Sequence, residues 1–408
     1  MSESLRSLHL AVALDGAGWH PTAWREPGAR PDALFTAGYW RDVVVEAEHG
    51  LLDFVTIEDS LRLQSDDYFE PDERTDRVRG RLDAVLTAAR VAPHTRHIGI
   101  VPTAIVTHTE PFHLSRAIAT LDHVSGGRAG VRVQAAGRAD EQGHFGRRDF
   151  PPQHMDNLEE PEVQQAALDH FDEAADYVEV LRRLWDSRED GADTGLPAGP
   201  EGLHTIDFEG RWFSVKGPST TPRPPQGQPL VVALGHSAVS YRLIARAADV
   251  GFVTPRDAAD AADIVGQVRA EQTAVGRDGD RLHVFGELVV LLDDSEQAAA
   301  DRLGRLDERA GAAYESDALV FTGTASGLAD LLEEWRQAGL TGFRLRPAVA
   351  AHDLPRITRD LTGELRRRGA FRTAYRAGTL RGLLDLSRPA SRYATVRAGR
   401  TEPPGHRG

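Results

Sequence analysis

The 408-residue sequence has no cysteine and one lysine, Lys216. The first absence excludes disulfides, thiolate nucleophiles and cysteine-ligated zinc or iron–sulfur sites. The second leaves Schiff-base chemistry a single candidate. Positive charge is in deficit: 48 Lys and Arg against 62 Asp and Glu give a formal charge of −14, which disfavours phosphate backbones and anionic lipid as partners. Long apolar runs are missing too. The opening "MSESLRSLHLAVAL" lacks a basic leader, and its apolar part is too short to span a bilayer. The expectation is a cytoplasmic protein with neither nucleic acid nor membrane as partner. What is present is 40% hydrophobic content, enough to bury a large core.

Eight strand-like runs recur: "LHLAVAL", "LDFVTI", "HIGIV", "AGVRV", "PLVVAL", "VGFVT", "HVFGELVVLL" and "GFRLRP". Eight helical patterns lie between and after them, among them "FHLSRAIATLDHV" and "AVSYRLIARAAD". That alternation predicts an α/β fold with a parallel sheet, and the count favours a closed (β/α)8 TIM barrel over an open doubly wound sheet. In "LDHVSGGRAGVRV", Gly126 and Gly127 end the third helix and Arg128 begins the fourth strand. Residues 1–369 read as one barrel with two insertions. One is a polar excursion near 138–167; the other, near 189–228, is rich in Gly and Pro and contains a hairpin around "LHTIDFEGRWFSVKG". Insertions of this length read as lids. Residues 370–408 form a basic tail expected to pack on the barrel or on a neighbouring subunit.

In such a barrel the chemistry sits where strands end. The first strand is followed by Asp15, His20, Trp24 and Arg25, and the second by Glu58, Asp59 and Ser60. The third delivers Thr103, Thr107 and His108, the fourth Arg132 and Gln134, and the fifth Gly235, His236 and Ser237. The fifth junction opens a helix, so it either binds an anion or merely caps its helix through Ser237. Glu58 to Ser60 are either a ligand clamp or a solvated strand end. His20 and His108 have no metal-ligand partner at i+2 or i+4, so no metal site is expected. "LGHSA" is not a nucleophile elbow, and no dinucleotide or Walker fingerprint follows a strand. Alternation puts Arg132 opposite Val131 and Val133, facing the barrel interior. There it meets either an anionic ligand or Glu58 or Asp59 in an ion pair.

The segments "TAIVTHTEPFHLSR", "LDHVSGGRAG", "HTIDFEGRWFSVKGP", "PRPPQGQPLVVALGHS" and "GAFRTAYRAGTLRGLLDLSRPASRY" together resemble the bacterial-luciferase-like flavin monooxygenases. The resemblance runs from His9 to about Tyr393 and points to the branch of nitrilotriacetate, dibenzothiophene-sulfone and long-chain alkane monooxygenases. It implies a (β/α)8 barrel, reduced FMN (FMNH2) as cofactor and O2 as co-substrate. It also implies a separate NAD(P)H-dependent flavin reductase and a homo-oligomer, dimer or tetramer. Asp59 falls where the family places an aspartate near the isoalloxazine, Thr103 matches the threonine after the third strand, and Gly235, His236 and Ser237 match the phosphate loop. Where the branch reads "GWNVVTS" this chain has "GVRVQAA", so Arg132, Ala135 and Ala136 alter one flavin wall, and an "RY" pair becomes His170 and Phe171.

The implied activity is oxygenation of a small organic substrate through a C4a-peroxide of the flavin; His20 and His108 are the candidates for managing protons beside it, because an imidazole changes charge near neutral pH. Two alternatives stand beside it: an F420- or flavin-dependent oxidoreductase of the same fold, and a non-catalytic flavin-binding protein.

Overall fold

Runs of branched residues that are buried on both faces form parallel strands, as both-sided cover by helices requires. They are β1 His9–Leu14, β2 Phe54–Ile57, β3 Gly99–Ile105 and β4 Gly130–Gln134. A small antiparallel hairpin, β5 Phe208–Glu209 with β6 Ser214–Val215, precedes β7 Leu230–Gly235, β8 Val250–Val253, β9 His283–Leu292, β10 Leu319–Gly323 and β11 Gly342–Pro347. The structure is a computed structural model that describes residues 7–65, 71–154, 156–189 and 202–394. β1, β2, β3, β4, β7, β8, β9 and β11 pair in that order, and β11 returns to β1, closing an eight-stranded parallel barrel.

β10 is a ninth parallel strand that the eight-strand count did not include, and with it comes a helix, Glu296–Ala310. β9 is longer than its neighbours. Its first half pairs with β8 at His283–Gly286, and its second half pairs with β10 at Leu288–Leu292. Without β10 the outer half of β9 would present a bare edge on that side.

The third helix, Pro111–Ser125, ends as the glycine pair requires: Gly126 at φ 69° and Gly127 at φ 87° both occupy the left-handed region. A Cβ on Gly127 would also lie 2.9 Å from the Thr379 methyl. The strand itself starts at Gly130, two residues later than expected. The polar excursion is partly helical, with Ala139–Gly143 and the first turns of Pro161–Asp186 inside it. The hairpin lies on a connection from a helix to the next strand, so it cannot follow a strand's C-terminal end. Phe208, Phe213 and Val215 pack against Phe112, Val180 and Leu184, so it clads the helical flank and not the mouth. Residues 190–201 and 395–408, part of the second insertion and of the tail, lie outside the described residues.

The barrel interior is layered. At the N-terminal end Ala11, Phe54, Val101, Val232, Phe252 and Phe285 form an apolar plug with Leu380, Leu384 and Leu386 of the tail. Phe54, Phe252 and Phe285 lie within 6.0–6.3 Å of one another. The tail is further fixed where His283 Nε2 meets the Leu384 carbonyl at 2.9 Å and Arg372 meets Asp53. Above the Phe252 ring lies the Arg344 guanidinium, 4.8 Å from its centroid. From there to the mouth the interior is charged.

Candidate active site

The charged layer arises from strand alternation. In "GFRLRP" of β11, Phe343 and Leu345 join the main hydrophobic core while Arg344 and Arg346 form ion pairs in the interior. Glu287 of β9, Arg132 of β4 and Glu58, just beyond β2, meet them. Arg132 Nη1 donates to Glu58 Oε2 at 2.7 Å and to Thr103 Oγ1 at 3.1 Å. Arg344 bridges Glu58 and Glu287 and donates from Nε to Thr56 Oγ1 at 2.8 Å. Arg346 joins Glu287 to Asp317, at 2.5 Å to Asp317 Oδ1. Burial would raise the Glu58 carboxyl, but Arg132, Arg344 and Arg346 outweigh it and bring it down to about 2. For Asp317 burial also acts upward, and Arg346 overrides it to hold that carboxyl at about 2. Glu58 and Asp317 are therefore ionised at neutral pH.

Two adjoining cavities open at this end. The inner one, of about 350 Å³, is lined by Glu58, Asp59, Arg132, Gln134, Leu234 and Arg346 among others. The outer one, of about 770 Å³, lies between the loop after β1, with Trp19, His20 and Trp24, and the segment around Arg74–Arg81, with Tyr314 opposite. Asp15, Trp19, Gln64, Ser65 and Arg81 belong to both walls. Both sizes suit small organic ligands. Arg346 lies over the Trp19 ring at 4.5 Å, and Arg81 makes a two-pronged contact with Asp15 at 2.6 and 2.9 Å.

The candidate residues from the sequence distribute unevenly around this mouth. Arg132 and Asp59 line the inner cavity, and Thr103, fully buried, stands behind it as an acceptor for Arg132. Arg132 faces the interior as alternation requires, and its ion-pair partner is Glu58. Asp59 instead accepts from the N–H groups of Ser60 at 2.8 Å and Ala84 at 2.9 Å, and burial raises its carboxyl against those bonds. At the fifth junction Ser240 Oγ accepts from the N–H groups of His236 and Ser237 at 3.0 and 3.1 Å. The turn is therefore closed as a helix cap, and the Ser237 side chain completes the capping box by accepting from the Ser240 N–H. Behind the turn, a Cβ on Gly235 would lie 2.9 Å from Ile244 Cδ1, so the glycine also lets strand and helix pack closely. His236 reaches Thr254 Oγ1 at 2.9 Å and stands 3.6 Å from Asp317 Oδ2, linking this junction to the arginine network.

The two histidines expected to handle protons are not brought together. His20 lines the outer cavity with both nitrogens engaged: Nδ1 accepts from Thr22 N–H at 3.2 Å, and Nε2 lies 3.1 Å from Asp307. Burial lowers its pKa although Asp307 opposes the shift. His108 keeps Nε2 without a partner, but Phe145 lies flat against its ring at 4.8 Å, and neither cavity includes it. Burial, then Arg148 and Arg147, lower its pKa. His170 sits beside this group, edge-on to Phe150 at 4.3 Å, with its ring against Gly137. Arg344, Arg346, Glu287 and Asp317 are the residues that sequence reasoning missed. The signal was legible as two arginines at i and i+2 in a buried strand and a glutamate within "HVFGELVVLL".

The profile of the Luciferase-like monooxygenase family matches residues 17–342. The chain belongs to that family. It is 26% identical to the N-acetyl-S-(2-succino)cysteine monooxygenase of Bacillus subtilis (strain 168), over 97% of this chain and 100% of that protein. It is 28% identical to nitrilotriacetate monooxygenase component A of Aminobacter aminovorans, over 95% and 98%. Among solved structures, a riboflavin lyase with modified FMN and riboflavin superposes with a TM-score of 0.79 at 24% identity, covering 95% of this chain and 98% of that one. The chain is thus an oxidoreductase of the flavin-dependent monooxygenase type. Among the described residues no group of three or more His, Asp or Glu could hold a metal, and no helix is long and apolar enough to cross a membrane.

A flavin can be tested against the mouth. Arg132 Nε, Arg346 Nε and Trp19 Nε1 are buried N–H donors without an acceptor, and all three side chains line the inner cavity. An isoalloxazine offers ring nitrogens and carbonyls as acceptors, beside an apolar face that Leu234 and Trp19 can meet. The residues fit the ring.

Proposed function

We propose that the protein is the oxygenase component of a two-component monooxygenase, taking reduced FMN from a separate NAD(P)H-dependent flavin reductase and oxygenating a small organic substrate with O2. The observation that carries this reading is the set of unmet donors at the inner cavity of a luciferase-like barrel. The component A name and the modified FMN of the two relatives above support it.

In this reading Arg132, with Thr103 and Asp59 beside it, orients the flavin ring. Gly235, His236 and Ser237 hold the phosphate end, where the N-terminus of helix Ala238–Ala247 favours negative charge. Bound reduced FMN supplies the electrons that activate O2. The protein's task is to fix the ring and keep water away from it. The 139–154 segment serves as the cover, tied down by Arg62–Asp140 at 3.1 Å and Arg148–Glu173 at 2.6 Å. The cytoplasm, where FMN and its reductants are found, is the proposed location. Subunits pair through helices Ala84–Val91 and Pro111–Ser125, where Leu86 and Val124 are exposed.

The test is reconstitution with FMN, NADH and a flavin reductase under isotopically labelled dioxygen, across a panel of organic substrates. One labelled oxygen atom per product molecule is expected. Reduced FMN bound without label in any product would favour a flavin-binding protein without catalysis.

A further inference from the structure

The outer cavity, of about 770 Å³, balances its charges within its own surroundings. Arg81 is held by Asp15 at 2.6 and 2.9 Å, and Arg74 by Asp76 at 2.6 and 2.9 Å. Arg77 is engaged too, and its charge acts on the same Asp76. Burial lowers the His20 pKa, so that ring is neutral at neutral pH. Burial also pushes the Tyr314 hydroxyl up to about 12, and it stays protonated. Glu315 adds a carboxylate that stands exposed. A carboxylate ligand could reach a guanidinium here only by displacing a carboxylate already in place, and it would meet Glu315. An ammonium ligand would face three arginines for one exposed partner, and exposed ion pairs are weak. Either charge would also give up hydration. A neutral ligand avoids all of these costs.

The surface left for contact is flat and fixed. Trp19 and Trp24 come from the loop after β1 and Tyr314 from the crossover into β10, with Pro21 and Val78 as further apolar lining. One carboxylate ties the two lips together: Asp307 Oδ1 accepts from the Tyr314 N–H at 3.0 Å and lies 3.1 Å from His20 Nε2. Thr22 Oγ1 donates to the Leu306 carbonyl at 3.2 Å, and the His20 and Tyr314 rings lie 5.0 Å apart. Guanidiniums hold both indoles, Arg25 over Trp24 at 4.7 Å and Arg346 over Trp19 at 4.5 Å. The aromatic walls are therefore preorganised, and they favour a flat ring over a puckered one of equal size, because stacked rings gain beyond the area they cover. We propose that the substrate is an uncharged planar aromatic molecule, seated in the outer cavity against Trp24 and Tyr314. This rests on the flavin reading, which gives the inner cavity to the cofactor. Trp19 belongs to both walls, so a ring seated there adjoins the flavin.

The experiment is calorimetric titration of the full-length protein, with and without saturating reduced FMN under anaerobic conditions. The probes are a matched set: 2-naphthamide, 2-naphthoate, 2-naphthylmethylamine and decahydro-2-naphthamide. The planar neutral amide should bind about ten-fold or more tightly than each of the other three, with an affinity that salt leaves unchanged. Tyr314→Leu and Trp24→Leu keep apolar bulk and remove a flat ring. Each should erase most of the advantage of the planar amide over its saturated counterpart, with reduced-FMN affinity unaltered. Failure of the planar amide to bind, equal or tighter binding of any of the other three, or a planar preference that survives both substitutions would overturn the proposal. A planar neutral preference without reduced-FMN binding would sink the flavin reading and leave the substrate class standing; the converse would sink the substrate class alone.

Discussion

Arg132 on β4 reaches past β3 to Glu58 at the end of β2, Nη1 to Oε2 at 2.7 Å, and takes Thr103 of the intervening strand at 3.1 Å on the way. Three strands of the mouth are tied by one guanidinium, and both charged partners are buried. Removing one partner of such a pair strands the other. Glu58→Gln should cost about 3–5 kcal/mol at neutral pH, measured by chemical denaturation.

The same pair has an acid signature. The Glu58 carboxyl sits at about 2 in the folded chain, below the ordinary glutamate value of about 4.3. Its contribution is present above the unfolded value and is lost as pH falls through the folded one. Wild-type stability should therefore decline between roughly pH 4 and pH 2, and Glu58→Gln should decline less steeply there. Parallel slopes would show that Glu58 is not the titrating group.

His170 gives a second pH signature in another window. Burial first, then Arg148 and His108, push its pKa down to about 4, so the folded chain holds it neutral where the unfolded chain, near 6.5, protonates it. Stability from this source is complete above about 6.5 and is lost on acidification toward about 4. His170→Gln should flatten urea-denaturation stability across that interval by up to about 3 kcal/mol.

Much of this architecture is written in local pattern. All eight barrel strands are legible because each is a short apolar run set off by turn residues, and the left-handed Gly126–Gly127 pair is legible as a helix stop. β10 was not, because "LVFTG" exists to cover the outer half of β9, a need set by strand length in three dimensions. The site was half legible. Arg132 is marked by alternation, but which carboxylate it meets depends on strand register. Arg344, Arg346 and Glu287 lie within strands, where attention to strand ends passes over them. The engagement of His20 by Asp307 joins positions 287 residues apart, and no local signal announces it.

At the fifth junction the Ser237 side chain is exposed at the start of its helix, so a negative charge there meets the proposed phosphate directly. Ser237→Asp should weaken reduced-FMN affinity by about ten-fold or more with the melting temperature nearly unchanged. Unchanged affinity would place the phosphate elsewhere.

Leu86 is 71% exposed and Val124 52% exposed on adjacent helices, more apolar surface than a lone subunit needs there. Light scattering should report a dimer or tetramer at micromolar concentration, and Leu86→Glu should shift the mass toward the monomer. A monomeric wild-type chain would remove the pairing proposal.

The most direct measurement is anaerobic titration of the wild-type protein with reduced FMN, reduced riboflavin and reduced F420, followed by calorimetry. A flavin ring on Arg132, Arg346 and Trp19 with its phosphate at Ser237 predicts saturable reduced-FMN binding. Affinity should be weaker for reduced riboflavin, which lacks the phosphate, and weakest for reduced F420. No saturable binding of reduced FMN, or tighter binding of reduced F420, would contradict the account.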